Sequence, residues 1–128
     1  MEKECYELLR DKQACASFKE YLKNCRANEV LNFYFEVELF KVIERPEEIA
    51  AKAVIIFNKY LKFGTPSEIN VDEKSRLAVE SIIHSGSVFD TTLFDKVQLQ
   101  AFDLLSSDCF LGFKHSELYK QHLERSSM

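Results

Sequence analysis

Hydrophobic positions of the 128-residue chain recur three or four residues apart along almost its whole length. That spacing places them on one face of an α-helix, and the alternation typical of β-strands is nearly missing. We therefore predict an all-α fold, a bundle of about eight to nine helices with short connectors. In chain order the predicted helices cover about residues 2–10, 13–24, 28–44, 46–64, 72–84, 94–106, 109–114 and 116–123.

Local signals set the predicted helix boundaries. Asp11-Lys12 and Ser107-Asp108 are expected to interrupt the helical pattern. Pro46 fits a first helical turn, and the residue before a proline is pushed out of the α region, so the third helix should end before it. Gly64 ends the fourth predicted helix, and Asp72 can cap the fifth. The tail from Glu124 onwards should fray.

The third predicted helix, residues 28–44, is apolar on almost every side. A helix with so little polar surface is normally buried by neighbours on several sides. Eleven phenylalanines and no tryptophan make the aromatic content unusually rich in Phe. Several of these rings fall on predicted inner helix faces, so we interpret them as core and not as a platform for stacking bases. The rings assigned to the core in this way are Phe18, Phe33, Phe40, Phe57 and Phe94.

Composition narrows the classes of function. Hydrophobic residues make up 46% of the chain and charged residues 30%, which is an ordinary globular balance. The net charge of -4 provides no global basic field for nucleic acid. No apolar run reaches the roughly 20 residues of a membrane helix, and the first residues are too polar for a signal peptide. We expect one cytoplasmic domain that covers residues 1–128.

The sequence offers little catalytic or metal-binding chemistry. Its four cysteines and three histidines lack the spacing of zinc ligands, and we interpret the thiols as reduced. Phosphate-binding loops, nucleophile elbows and zinc-protease motifs are missing from the sequence. Cys109 and His115 fall on different helix faces without an orienting partner, so a catalytic pair is not expected. The residues alone predict a helical binding module without a cofactor or a metal.

Six segments of the chain carry motifs that follow one another in a familiar order. They are residues 18–22 (FKEYL), 29–41 (EVLNFYFEVELFK), 53–61 (AVIIFNKYL), 64–72 (GTPSEINVD), 94–98 (FDKVQ) and 104–119 (LLSSDCFLGFKHSELY). In this order they resemble the RGS domain, the regulator-of-G-protein-signalling homology fold. The resemblance covers about residues 13–123, and Tyr34 takes the place where relatives usually carry Trp. It also implies that Phe102 and Phe113 belong to the core, which brings the phenylalanines assigned there to seven.

The resemblance implies a fold, a partner and a mechanism. The fold would be a helical bundle built around a buried antiparallel helix pair. The domain would bind the switch regions of an activated, GTP-bound Gα subunit and accelerate GTP hydrolysis. The chemistry would remain with the GTPase's own Gln, Arg and Mg²⁺, which explains the lack of catalytic side chains here. We expect a monomer, recruited to the inner face of the plasma membrane or to endomembranes through other domains.

The family's contact face can be transferred onto this sequence residue by residue. Asn70 matches the Asn that reaches the Gα switch glutamine, although an Asn can also cap its own turn. Glu29 matches an interface Glu or is a helix-start carboxylate, and Asp108 matches an acceptor or is a helix N-cap. Leu104 matches an apolar contact or belongs to the core. The full set implied by the resemblance is Glu29, Val30, Ser67, Glu68, Asn70, Leu104, Asp108, Cys109 and Gly112.

Three positions depart from the family pattern. Val30 stands where the family has an interface Asn, and a valine side chain neither donates nor accepts a hydrogen bond. Cys109 replaces a Ser, and Gly112 replaces the Arg or Lys that braces this face. Losing one partner of a buried polar contact typically costs about 1–3 kcal/mol, so these changes predict weaker GTPase activation.

Two functions therefore stay open at this point. The first is a GTPase-activating RGS domain, of a kind specialised for a divergent Gα. The second is an RGS-homology interaction module without GTPase activation, of the scaffold, sorting-nexin or anchoring-protein type. The turn around Asn70 favours the first, whereas Val30 and Gly112 favour the second.

Overall fold

A computed structural model describes residues 2–24, 28–86 and 88–126 of the chain. Within these ranges all regular structure is helical, so the predicted all-α fold is confirmed. The α-helices are α1 (Glu2–Arg10), α2 (Lys12–Asn24), α3 (Asn28–Phe40), α4 (Pro46–Ile56), α5 (Glu73–His84), α6 (Asp95–Leu104), α7 (Phe110–Lys114) and α8 (Glu117–Ser126). One π-helical turn, Phe57–Leu61, continues α4, and a second, Leu105–Cys109, joins α6 to α7.

The chain divides into two compact units. The terminal unit contains Met1–Leu31 and Phe102–Met128, and the central unit contains Asn32–Ala101. Within the described residues no helix is both long enough and apolar enough to span a membrane.

The terminal unit packs around the ring of Phe18 on α2, which is fully buried. Its ring centroid lies 6.2 Å from that of Phe110 and 5.2 Å from that of Phe113. Tyr21, also on α2, lies 5.6 Å from Phe113. The predicted break before α2 is confirmed, and Asp11 caps that helix, because its Oδ1 accepts from the backbone N–H groups of residues 13 and 14 at 3.0 and 3.2 Å.

The central unit has an aromatic core of its own. Phe33 lies 5.5 Å from Tyr60 and 6.4 Å from Phe94, and Phe40 lies 5.1 Å from Phe94, all with rings edge to face. The buried amide of Gln98 donates to the backbone oxygen of Tyr34 at 3.1 Å, which satisfies a polar group inside this core. Six of the seven phenylalanines assigned to the core are buried, whereas Phe102 is only half-buried.

The predicted end of the third helix was wrong. α3 ends at Phe40, and residues 41–44 form a turn and an extended segment. The N–H of Val42 bonds to the carbonyl of Leu39 at 3.3 Å, a short-range bond that tightens and closes a helix end. The prediction of burial on nearly all sides was also too broad, because Leu39 is 66% exposed. The next helix starts at Pro46, as predicted.

The predicted interruption at Ser107-Asp108 was wrong too. The backbone stays helical there through a π turn, in which the N–H of Phe110 bonds to the carbonyl of Leu105. The hydroxyls of Ser106 and Ser107 donate to the carbonyl of Asp103 at 3.4 and 2.6 Å. Because they compete for a helix carbonyl, the turn widens without ending the helix. Seven continuous helical stretches result in the described part of the chain, instead of the predicted eight to nine.

One smaller expectation also needs correction. α8 continues to Ser126, so the fraying predicted from Glu124 is not seen in residues 124–126, and residues 127–128 lie outside the described ranges. In α5 the buried positions are Ser75 and Val79, whereas Leu77 is 48% exposed.

Candidate functional site

Residues 62–72 connect the first π-helical turn to α5 and form a closed turn in the central unit. Gly64 has a φ of +84°, a left-handed conformation that glycine adopts without strain. Its N–H donates to Oε1 of Glu68 at 3.1 Å, and the N–H of Glu68 donates to the carbonyl of Thr65 at 3.0 Å. The side chain of Glu68, predicted as a contact residue, therefore closes the turn from within.

Two anchors hold the second half of this turn. The N–H of Ile69 donates to the carbonyl of Tyr60 at 2.9 Å, and the Ile69 side chain is only 4% exposed. The N–H of Asp72 donates to Oε1 of Gln100 at 2.7 Å, and the carboxylate of Asp72 accepts from the N–H of Ser75 at 3.2 Å. The predicted N-cap at Asp72 is thus confirmed.

Asn70 lies between these two anchors, and its side chain is exposed. Its carboxamide forms no hydrogen bond with any residue that the structure describes. The side chain of Asn70 therefore does not cap its own turn, which was the alternative interpretation. Ser67, in the same turn, is half-buried. The turn thus fixes the backbone on both sides of Asn70 and leaves its carboxamide, which can both donate and accept, exposed.

A cleft of about 390 Å³ opens around Asn70. Ile69, Asn70 and Val71 line it together with Phe63, whose side chain is 80% exposed. Sequence reasoning missed Phe63, although one signal was available. The residue lies beyond the last inner aromatic position, Tyr60, and directly before the turn glycine.

Other predicted contact residues lie in the terminal unit. Glu29 and Val30 occupy the first turn of α3, and both are half-buried, whereas Leu31 is fully buried. The carboxylate of Glu29 is close to the helix start, a favourable place for a negative charge. Its alternative interpretation as a helix-start carboxylate is therefore compatible with the fold.

The segment from Leu104 to Cys109 contributes the second π-helical turn. Leu104 is half-buried and its neighbour Leu105 is fully buried, so Leu105 is the core residue of the two. The backbone of Asp108 lies inside the continuous helix, and Cys109 has helical angles of φ -73° and ψ -44°. The alternative interpretation of Asp108 as an N-cap was therefore wrong.

Cys109 is half-buried, whereas Cys5 of α1 is buried. Cys109 contributes electrostatically to the pKa of the Cys5 thiol. The pKa of the Cys5 thiol rises to about 12, mainly because burial disfavours the thiolate and further because of electrostatic interactions with Cys109 and Cys15. A thiol with so high a pKa is a poor nucleophile and a poor metal ligand. Among the described residues no group of three or more His, Cys, Asp or Glu is arranged to hold a metal ion.

Gly112 has a structural reason to be glycine. A Cβ built on its backbone would fall well inside contact distance of the Tyr21 hydroxyl, and it would lie 3.4 Å from Cζ of the same ring. Gly112 is therefore the position where Tyr21 of α2 approaches α7 closely. The side chain that the family carries there would need Tyr21 to move.

The structure thus sorts the predicted contact residues into two sets. Ser67, Glu68 and Asn70 come together in one turn of the central unit. The terminal unit holds the others, on the first turn of α3 and on the helical stretch from α6 to α7. The second set consists of Glu29, Val30, Leu104, Asp108, Cys109 and Gly112.

Comparison with known proteins adds an independent finding. Residues 4–122 match the family model described as "Regulator of G protein signaling domain". Regulator of G-protein signaling 21 of Homo sapiens is 30% identical over 116 residues, which cover 89% of this chain and 73% of that protein. Regulator of G-protein signaling 5 of Sus scrofa is 27% identical over 119 residues, 92% of this chain and 64% of that protein.

A nematode relative is much longer. Regulator of G-protein signaling rgs-7 of Caenorhabditis elegans is 30% identical over 118 residues, which cover 91% of this chain but only 14% of that protein. The chain therefore spans less than two thirds of the length of several relatives, including this one and the pig protein.

Proposed function

Because the chain belongs to the regulator of G protein signaling domain family, we propose that it binds the switch regions of an activated Gα subunit and accelerates GTP hydrolysis. The observation that carries the proposal is the exposed carboxamide of Asn70, held between the buried Ile69 and the capping residue Asp72. An amide offers both a donor and an acceptor, which suits a switch glutamine that has the same two groups.

The proposed mechanism needs no catalytic group from this chain. The Gln, Arg and Mg²⁺ of the GTPase perform the reaction, and the domain favours the arrangement of the switch loops that the transition state requires. Only contacts that are stronger in that state accelerate hydrolysis. A turn whose backbone is already fixed on both sides of Asn70 loses little conformational entropy on binding, which favours such contacts.

The departures from the family pattern modify the expected strength. Val30 provides no hydrogen bond at the start of α3, and Gly112 provides no charged brace. We therefore propose weaker activation for the usual type of Gα partner. The second candidate function, an interaction module of the scaffold, sorting-nexin or anchoring-protein type, is favoured by one observation: Tyr21 already occupies the space beside Gly112.

Single-turnover GTP hydrolysis by several Gα subtypes, with and without this domain, tests the proposal. Asn70→Ala should lower the acceleration by roughly 5-fold to 150-fold, the equivalent of one polar contact of about 1–3 kcal/mol. Asn58→Ala is the matched control, because Asn58 is another exposed asparagine of the central unit, on the first π-helical turn. It should leave the acceleration unchanged.

A negative result is equally clear. If no subtype is accelerated and none binds in its aluminium-fluoride state, the proposal fails and the interaction-module alternative takes its place. Binding without preference for the activated state also favours that alternative. We further propose that residues 1–128 form one monomeric domain in the cytoplasm, brought to the plasma membrane or endomembranes by other domains.

A further inference from the structure

We propose that Phe63 and the cleft beside Asn70 form a second contact, which receives an apolar side chain of the activated Gα subunit. This inference rests on the proposed function and extends it to residues that the sequence comparison did not single out. Phe63, Ile69, Asn70 and Val71 line the same cleft of about 390 Å³ in the central unit. A partner that reaches the Asn70 carboxamide therefore lies next to the Phe63 ring.

Phe63 is unusual among the aromatic residues of the central unit. Its side chain is 80% exposed, whereas Phe33, Phe40, Phe57 and Phe94 are at most 2% exposed. The Phe63 ring contributes nothing to either core, so a stability role does not explain it. Exposed aromatic rings at the edge of a concave surface are typical of residues that dominate binding energy at protein interfaces.

The charges around the cleft determine what kind of group fits there. Arg76 is paired with Glu73 at 3.2 Å and with Glu80 at 3.6 Å, and only 11% of its side chain is exposed. Glu68 accepts a hydrogen bond from the N–H of Gly64. The charged residues that line the cleft, Glu68, Glu73 and Arg76, carry a net charge of -1, and Arg76 is already paired. A phosphate or an acidic peptide therefore has no free positive charge to meet, whereas the exposed Phe63 ring offers an apolar contact. An uncharged apolar group next to one polar contact at Asn70 is the best fit.

Membrane binding by Lys62 and Phe63 is the competing explanation for the exposed ring, because the two residues are adjacent and both are exposed. Two features favour the protein partner. The ring lines a concave cleft and not a convex surface, and the cleft shares Asn70, which has no function at a lipid surface. A lipid explanation predicts that Phe63 and Lys62 act together, independently of Asn70.

The experiment measures the affinity of the full chain for Gα held with GDP and aluminium fluoride. Phe63→Ala should weaken binding about 10-fold to 50-fold, which corresponds to the loss of a buried aromatic contact. Phe63→Leu should restore most of the affinity, because it keeps an apolar side chain. Val88→Ala is the control, since Val88 is 97% exposed, lies outside a helix and does not line the cleft. Thermal unfolding of Phe63→Ala should match that of the unmodified chain.

Each outcome decides one question. A loss of fivefold or more for Phe63→Ala, with Val88→Ala unchanged, supports the contact, and a smaller loss overturns it. If Asn70→Ala weakens binding while Phe63→Ala does not, this inference fails and the proposed function stands. If the unmodified chain binds no activated Gα, the proposed function fails, and the inference about Phe63 fails with it. Reduced binding to phosphatidylserine vesicles by both Phe63→Ala and Lys62→Ala, with Gα binding unchanged, also overturns the inference.

Discussion

Replacing Gly112 by alanine tests whether the close approach of α2 and α7 is the reason for this glycine. Glycine inside a helix is normally unfavourable, so a Gly→Ala change in α7 would by itself stabilise the chain by about 1 kcal/mol. The new methyl group, however, falls on the hydroxyl of Tyr21. Forcing an extra methyl into a packed contact typically costs about 1–3 kcal/mol. The net expectation is a loss of roughly 0–2 kcal/mol in the free energy of unfolding.

The same change should have the opposite sign when the hydroxyl is removed. In Tyr21→Phe the nearest remaining ring atom is Cζ, at 3.4 Å from the new Cβ, which is an ordinary contact distance. Gly112→Ala should then stabilise the chain by about 1 kcal/mol, the full gain in helix propensity. The coupling energy between the two positions is therefore expected to be about 1–3 kcal/mol.

Urea unfolding of four proteins measures this coupling: the unmodified chain, the two single variants and the double variant. Tyr21→Phe alone is the necessary reference, because it includes the loss of any interaction that the hydroxyl itself makes. The slopes of the four transitions should agree, so that differences in midpoint report stability. If Gly112→Ala is equally stabilising in both backgrounds, the hydroxyl does not explain the glycine and our interpretation of this position is wrong.

The cycle also affects how Gα binding should be tested. Gly112→Arg, the change that restores the family's brace, places the same Cβ against Tyr21. We therefore expect it to reduce stability on its own, whereas together with Tyr21→Phe it is compatible with the fold. Val30→Asn needs no such second change, because Val30 is half-buried on the first turn of α3. Restoration of GTPase activation should be assayed with all three substitutions.

Three further changes have defined outcomes. Asp72→Ala removes the N-cap of α5 and should lower the free energy of unfolding by about 1 kcal/mol, measured by urea titration. Cys5, with its raised pKa of about 12, should resist alkylation at pH 8 until urea unfolds the chain, and rapid native labelling seen by mass spectrometry would contradict its burial. The hydrogen bond from Lys114 lowers the pKa of Glu4, so this pair stabilises the fold above the carboxyl's ordinary pKa of 4.5 and loses its effect as pH falls through the lowered value. The difference in Tm between the unmodified chain and Glu4→Gln should shrink over that pH range.

The features that the sequence predicted well depend on neighbours along the chain. The break at Asp11, the start of a helix at Pro46 and the cap at Asp72 all follow from backbone chemistry within four residues, and all three are confirmed. The same holds for the position of Asn70 in a turn after Gly64. In each case the residue either restricts its own backbone dihedral angles or supplies a hydrogen bond to a nearby N–H.

The features that the sequence predicted poorly depend on contacts across the fold. The serines near residue 107 looked like a helix end, but the buried residues on either side, Leu105 and Phe110, keep the backbone helical through a π turn. Gly112 looked like the loss of a brace, and only the position of Tyr21 gives it a packing role. The hydrophobicity of Phe63 does not predict that it is exposed. The point at which the buried face of α4 and the π-helical turn after it ends depends on the elements packed against that helix.

The departures from the family pattern are therefore of two physical kinds. At Val30 the polar side chain of the family is missing on the half-buried first turn of α3, so under the proposed function the change is expected to act on Gα affinity. At Gly112 the missing side chain is linked to the packing of Tyr21 against Phe113, at 5.6 Å between ring centroids, so the change acts on the fold of the terminal unit as well. Under the proposed function, a loss of the first kind should reduce affinity for Gα without lowering the stability of the domain. A change of the second kind also alters the packing of Tyr21, so its effect on Gα binding should depend on the position of Tyr21 as well as on the missing charge.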